Sequence, residues 1–114
     1  MVEYLNEEML SIIFKAVSDA TRRSLLRQLC HYGPSPVTSL AEQYDMSLNA
    51  ISKHIKVLEK ADLVKRHTIG RTHLIEANLG QVKLAEDWLS EFQSIWMLRL
   101  NKLDEVLTGG KDND

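Results

Sequence analysis

The chain has 114 residues, of which 44% are hydrophobic and 26% charged, with one cysteine and a formal net charge of −2. This is one globular domain's worth of sequence. No apolar run approaches the roughly 20 residues that span a bilayer, and Cys30 alone makes neither an internal disulfide nor a four-thiolate zinc site. The start, Met1-Val2-Glu3-Tyr4-Leu5-Asn6, lacks the basic and apolar runs of a secretory signal, so the expected location is the cytoplasm.

The small net charge hides an asymmetry. Residues 1 to 46 carry four positive and six negative groups, residues 47 to 76 six and three, and residues 77 to 114 four and seven. Only the middle segment is basic, and it also holds His54, His67 and His73. A basic stripe on an otherwise acidic protein suits a phosphate-binding face, whereas a solvated face would carry charge without a ligand.

In chain order, Leu5, Met9, Ile13 and Ala16, flanked by Leu10, Phe14 and Val17, recur at helical spacing, with Asn6 as the expected N-cap. Ser18 or Asp19 caps a second helix, with Leu25, Leu26 and Leu29 inward and Arg22, Arg23 and Arg27 toward water. It stops near Gly33, ahead of Pro34-Ser35-Pro36. Ser39 and Glu42 have the spacing of a capping box for a short third helix ending near Tyr44. After a tight turn at Asp45-Met46, Ser47 caps a fourth helix whose apolar positions Leu48, Ile51, Ile55 and Leu58 step by three, four and three. The opposite side carries Asn49, Lys53, Lys56 and Lys60, with Ser52 and His54 at its flanks. Such a helix-turn-helix presents amides and cations to base edges and phosphates of the major groove.

Residues 63–67 and 72–76 read as two strands joined at Gly70-Arg71, a hairpin whose Arg71, with Lys65 and Arg66 on its flank, suits phosphates or a minor groove. The last helix, from about Gly80 to Leu107, lines one face with Ala85, Leu89, Phe92, Trp96, Leu100, Leu103 and Leu107, widened by Trp88, Ile95 and Val106. A domain this small cannot bury all of it. A homodimer is expected through this helix and the first, with Leu10, Phe14, Leu89, Phe92, Trp96, Leu100 and Leu103 at the interface, placing two reading helices about one DNA turn, ~34 Å, apart. The expected fold is mainly α with a small β-hairpin wing, a winged helix-turn-helix of order α-α-α-α-β-β-α over residues 1–108, followed by a flexible tail over 109–114.

The runs Phe14-Lys15-Ala16-Val17-Ser18-Asp19-Ala20-Thr21-Arg22-Arg23 and Ser47-Leu48-Asn49-Ala50-Ile51-Ser52-Lys53-His54-Ile55-Lys56-Val57-Leu58-Glu59-Lys60-Ala61-Asp62-Leu63-Val64, then Gly70-Arg71, occur in one order. In these three motifs the chain resembles the ArsR/SmtB family of bacterial repressors over roughly residues 10 to 107. The resemblance implies a dimeric repressor on a palindromic double-stranded operator, released by a signal. By position it makes Ser47, Asn49, Ala50, Ser52, Lys53 and His54 the DNA-reading set and Arg71 the wing tip; Lys56, Lys65 and Arg66 add phosphate affinity. Ala20 stands where the family often has proline, and Asp62 where it usually has glycine, a position Asp can fill in the left-handed conformation. The Cys-x-Cys run and terminal-helix histidines of metal-responsive members are missing, so no metal or cofactor is expected and no inducer is named.

Some residues admit sharper readings. Cys30 suits a small buried hydrophobe better than a redox switch, and His67 with His73, flanking the bend, would make only a weak two-ligand metal site. Trp88, Phe92 and Trp96 fit dimer core better than a ligand pocket. With no Gly-rich phosphate loop, nucleophile elbow or zincin motif, no enzyme is expected. The alternatives to a plain repressor are a metal- or redox-responsive one with unusual ligands, and a winged-helix protein-interaction module without DNA binding.

Overall fold

The computed structural model describes residues 2–112, and side chains over 6–109. The order is α1 (Val2–Val17), α2 (Ala20–Tyr32), β1 (Ser35–Pro36), α3 (Val37–Gln43), α4 (Leu48–Lys60), β2 (Val64–Ile69), β3 (Thr72–Ala77) and α5 (Val82–Asp112). This is the expected winged helix-turn-helix with one added strand. β1 pairs antiparallel with β3, Ser35 against Ile75 and Pro36 against Leu74, giving a three-stranded sheet in the order β1-β3-β2. Two residues, Ser35 and Pro36, carry no alternation to read, and proline is tolerated there because β1 is an edge strand.

Leu25, Leu40, Ile51, Ile55, Leu58, Leu63 and Ile75 are fully buried, so one core joins α2, α3, α4 and the base of the wing. Each such side chain stabilises the fold by about 1.5–3 kcal/mol relative to exposure. Turns at the edges of this core are set by a few backbone positions. Asp45 (φ 51°) and Asp62 (φ 57°) are the left-handed non-glycine residues. Asp62 thus takes the left-handed conformation expected of it, and its carbonyl and carboxylate both accept from the Asn78 amide at 3.0 Å.

Several local expectations change. α1 begins at Val2, so Asn6 lies inside the helix and caps nothing; no Gly or Pro precedes it to stop the helix. Asp19, not Ser18, caps α2, accepting from the Arg22 N–H at 3.1 Å, while the Ser18 hydroxyl donates to the Lys15 carbonyl. α3 starts at Val37 after Pro36 with no side-chain cap, which moves Ser39 into the helix and removes its capping box with Glu42. α5 runs past Leu107 and through Gly109 to Asp112, so the helix extends into the segment read as a tail from residue 109. Glycine costs a helix only about 1 kcal/mol per residue, which weakens it without ending it; Asn113 and Asp114 lie outside the described residues. Cys30 is exposed rather than packed, because α2 buries the stripe through Leu25 and Leu29 and Cys30 is off it. Among the described residues no helix is long and apolar enough to cross a membrane.

Candidate nucleic-acid interface

α4 is fixed by its inner stripe and offers its outer one. Ile51, Ile55 and Leu58 are buried, and the Ser47 hydroxyl accepts from the Ala50 N–H at 3.1 Å, closing the first turn. Ser47 and Ala50 therefore shape the helix start, and Asn49, Lys53, Lys56 and Lys60 stand exposed along one side with Ser52 half-buried at its edge. Leu48, expected in the apolar stripe, is 52% exposed, a correction with a simple cause: the core ends beneath Ile51, and the stripe runs one turn beyond it.

The hairpin turns at Gly70 (φ 62°), the positive φ that a two-residue loop needs at its first position. Arg71 and Lys65 are exposed, as expected of phosphate ligands. Arg66 is not free. Its guanidinium donates to both carboxylate oxygens of Glu59 in α4, at 2.8 and 3.3 Å, and this pairing raises its pKa. The side chain read as a phosphate contact instead ties the wing to the reading helix. Between the two lies a cleft of about 220 Å³ lined by residues including Leu48, Ser52, Arg66, Arg71 and His73.

His54 is likewise turned inward, toward Arg22 and Asp19 at the packed flank of α4. Its Nδ1 lies 3.3 Å from an Arg22 guanidinium nitrogen and 3.8 Å from the Asp19 carboxylate. Arg22 also donates to the carbonyls of Ala16 (2.7 Å) and Lys15 (3.1 Å), so one side chain joins the end of α1, the start of α2 and the middle of α4. Read from sequence as a solvated arginine, Arg22 is the main omission; its place three residues after a capping Asp was the available signal.

The Asp19 carboxyl is held below its ordinary pKa, first by the Arg22 backbone N–H it accepts, then by the charge of Arg22 against opposing desolvation. A lowered carboxylate pKa adds stability above the ordinary value and loses it as pH falls through the lowered one. Asp19→Asn keeps a cap but removes the charge. Thermal melts should show wild type above this variant near neutral pH, with the gap closing in acid; a pH-independent gap would assign the effect to capping geometry.

His67 and His73 do not face one another. His67 is registered with Leu74 and His73 with Thr68, which puts the two rings on opposite faces of the hairpin. His67 pairs with Glu76 at 3.1 Å and His73 with Thr68 at 3.3 Å. Among the described residues no three His, Cys, Asp or Glu side chains are grouped to hold a metal ion.

The second surface is α5, whose 31 residues extend about 46 Å. Its first turns pack on α1, with Phe14 edge-on to Trp88 at 5.4 Å and Trp88 edge-on to Phe92 at 4.4 Å. Leu10 is 5% exposed, so this expected interface residue is core of the single chain. Leu89, Phe92, Trp96, Leu100 and Leu103 are all exposed along α5, with Val106 and Leu107 continuing the strip.

A helix-turn-helix domain model matches residues 17–67. The transcriptional repressor SdpR of Bacillus subtilis (strain 168) is 30% identical over 80 residues, covering 70% of this chain and 88% of the repressor. The crystal structure of an ArsR family transcriptional regulator superposes with a TM-score of 0.75 at 36% identity, covering 80% of this chain and 93% of that one. The homodimeric winged helix-turn-helix DNA-binding domain of a possible ArsR-family regulator from Mycobacterium bovis, 19% identical, shares the fold with a TM-score of 0.64, covering 94% and 89% of the two chains. These relatives are regulators rather than enzymes, and with the exposed polar face of α4 beside the wing they lead to one identification: the chain belongs to the ArsR family of winged helix-turn-helix transcriptional regulators and is a DNA-binding protein.

Proposed function

We propose that this protein is a homodimeric repressor that occupies a palindromic operator and blocks transcription from it. The observation that carries the reading is the continuous exposed polar side of α4, Asn49, Lys53 and Lys56, next to a wing whose Arg71 and Lys65 are also exposed. Asn49 reads base edges with Ser52 beside it, because a carboxamide pairs bidentately with adenine in the major groove. Lys53, Lys56, Lys65 and Arg71 take phosphates. Ser47 and Ala50 set the helix start, and His54 and Arg66 act as positioning residues. The second copy covers Leu89, Phe92, Trp96, Leu100 and Leu103 of α5 together with Phe14, a reading supported by the homodimer described for the Mycobacterium bovis domain and by the repressor role named for SdpR. Two-fold pairing through α5 brings the α4 helices to successive major grooves, about 34 Å apart.

Salt-dependent binding tests the residue assignment. Lys53→Ala and Arg71→Ala should each weaken operator binding and lower the slope of log K against log salt by about 0.9 per lost phosphate contact. Wild-type affinity and slope in both variants would remove these residues from the interface. Specific binding absent at every salt concentration would favour a protein-interaction module.

A further inference from the structure

The exposed Leu48 has no role in the fold or in phosphate binding. It is the first residue of α4, immediately after the Ser47 cap, and helix-turn-helix proteins bring the N-terminal residues of this helix to the base edges. On the same side of the helix stand Ser52, one turn on, and Glu59, about three turns on, whose carboxylate holds Arg66. Leu48 therefore lies on the rim of α4 that faces the wing, lining the cleft with Ser52, Arg71 and Thr72. Half of its surface is open in the single chain, and a leucine in water at the leading end of a cationic, amide-bearing face gains nothing until an apolar group meets it. In the major groove the apolar group on offer is the 5-methyl of a pyrimidine, which only thymine carries in unmodified DNA.

We propose that Leu48 is a specificity-determining residue that reads a pyrimidine 5-methyl group in each operator half-site, with Arg71 holding the adjoining backbone. The inference rests on the DNA-binding reading above and adds base discrimination to it. A leucine cannot tell the methyl of thymine from that of 5-methylcytosine, so either modification state can supply it.

The experiment replaces each thymine of both half-sites in turn with deoxyuridine, which keeps base pairing and removes the methyl alone, and measures binding of wild type and Leu48→Ala. One position should lose about fourfold per half-site for wild type, the worth of roughly one buried methyl group, and about fifteenfold with both half-sites changed. The Ala variant, a good helix former at an exposed site, should bind the thymine and deoxyuridine duplexes equally. Replacing that base pair by one with 5-methylcytosine in the methyl's place, against unmodified cytosine, should restore part of the loss in wild type only. Specific binding by wild type that no deoxyuridine weakens, or a loss of equal size in Leu48→Ala, would overturn the methyl reading and leave the repressor reading standing. No specific binding by wild type to the unmodified duplex would overturn both.

Discussion

Trp96→Glu should leave the protein folded and monomeric. Trp96 is 60% exposed in the single chain and lies outside its buried core, so the substitution disturbs little internal packing and should alter fold stability by only about 0.5 kcal/mol. In the dimer the same position lies in an apolar strip, where two carboxylates from two copies would be buried without partners, at a cost of several kcal/mol. Loss of the second half-site then removes the avidity of a linked pair, and operator affinity should drop by about a hundredfold or more. Sedimentation shows the oligomeric state, and circular dichroism separates dissociation from unfolding. A dimer surviving the glutamate would take α5 out of the interface, and a monomer with undiminished affinity would remove the two-fold argument.

Arg22→Ala should have the largest effect on the fold among polar substitutions. It strips donors from the carbonyls of Lys15 and Ala16 and from His54 at one stroke, joining sites in α1 and α4 that nothing else polar connects among the contacts described. Charge-assisted hydrogen bonds of this kind contribute about 1.5–3 kcal/mol, and the Lys15 carbonyl keeps its donor from Ser18. For a domain of this size the melting temperature should fall by roughly 10 °C. Arg22→Lys should recover little, since one ammonium cannot span the fork that reaches three acceptors. Because His54 sits on α4, operator binding by the folded variant should weaken as well, although Arg22 is remote from the wing. A melting temperature within a degree or two of wild type would show that these contacts are dispensable.

Much of this was legible because period and caps leave marks in sequence. The three, four, three spacing of Leu48, Ile51, Ile55 and Leu58 placed α4, Ser47 marked its start, and Gly70 marked the wing's turn. The interface could be outlined from the same helix, since its polar positions are whatever the apolar stripe leaves over. What stayed hidden depends on distance across the fold. Arg66 reads as a free cation until Glu59 is seen beside it, and His54 as a groove residue until Arg22 and Asp19 close on it. Leu48 continues the apolar pattern perfectly well; only the end of the core beneath it reveals that the pattern outruns the packing. Leu10 errs the other way, because α5 folds back onto α1 and covers within one chain what periodicity alone would give to a partner. The short strand at Ser35–Pro36 had no periodicity to show, being two residues long and defined by its partner β3.

The most direct test of the central claim is a footprint of the purified protein on the DNA upstream of its own gene, with the stoichiometry of the complex measured alongside. Two protected half-sites related by two-fold symmetry, centred about one helical turn apart, ~34 Å, with two chains bound per duplex, are the expected result. A single protected half-site occupied by one chain would contradict the dimer through α5, and uniform protection without a preferred site would contradict sequence reading by α4.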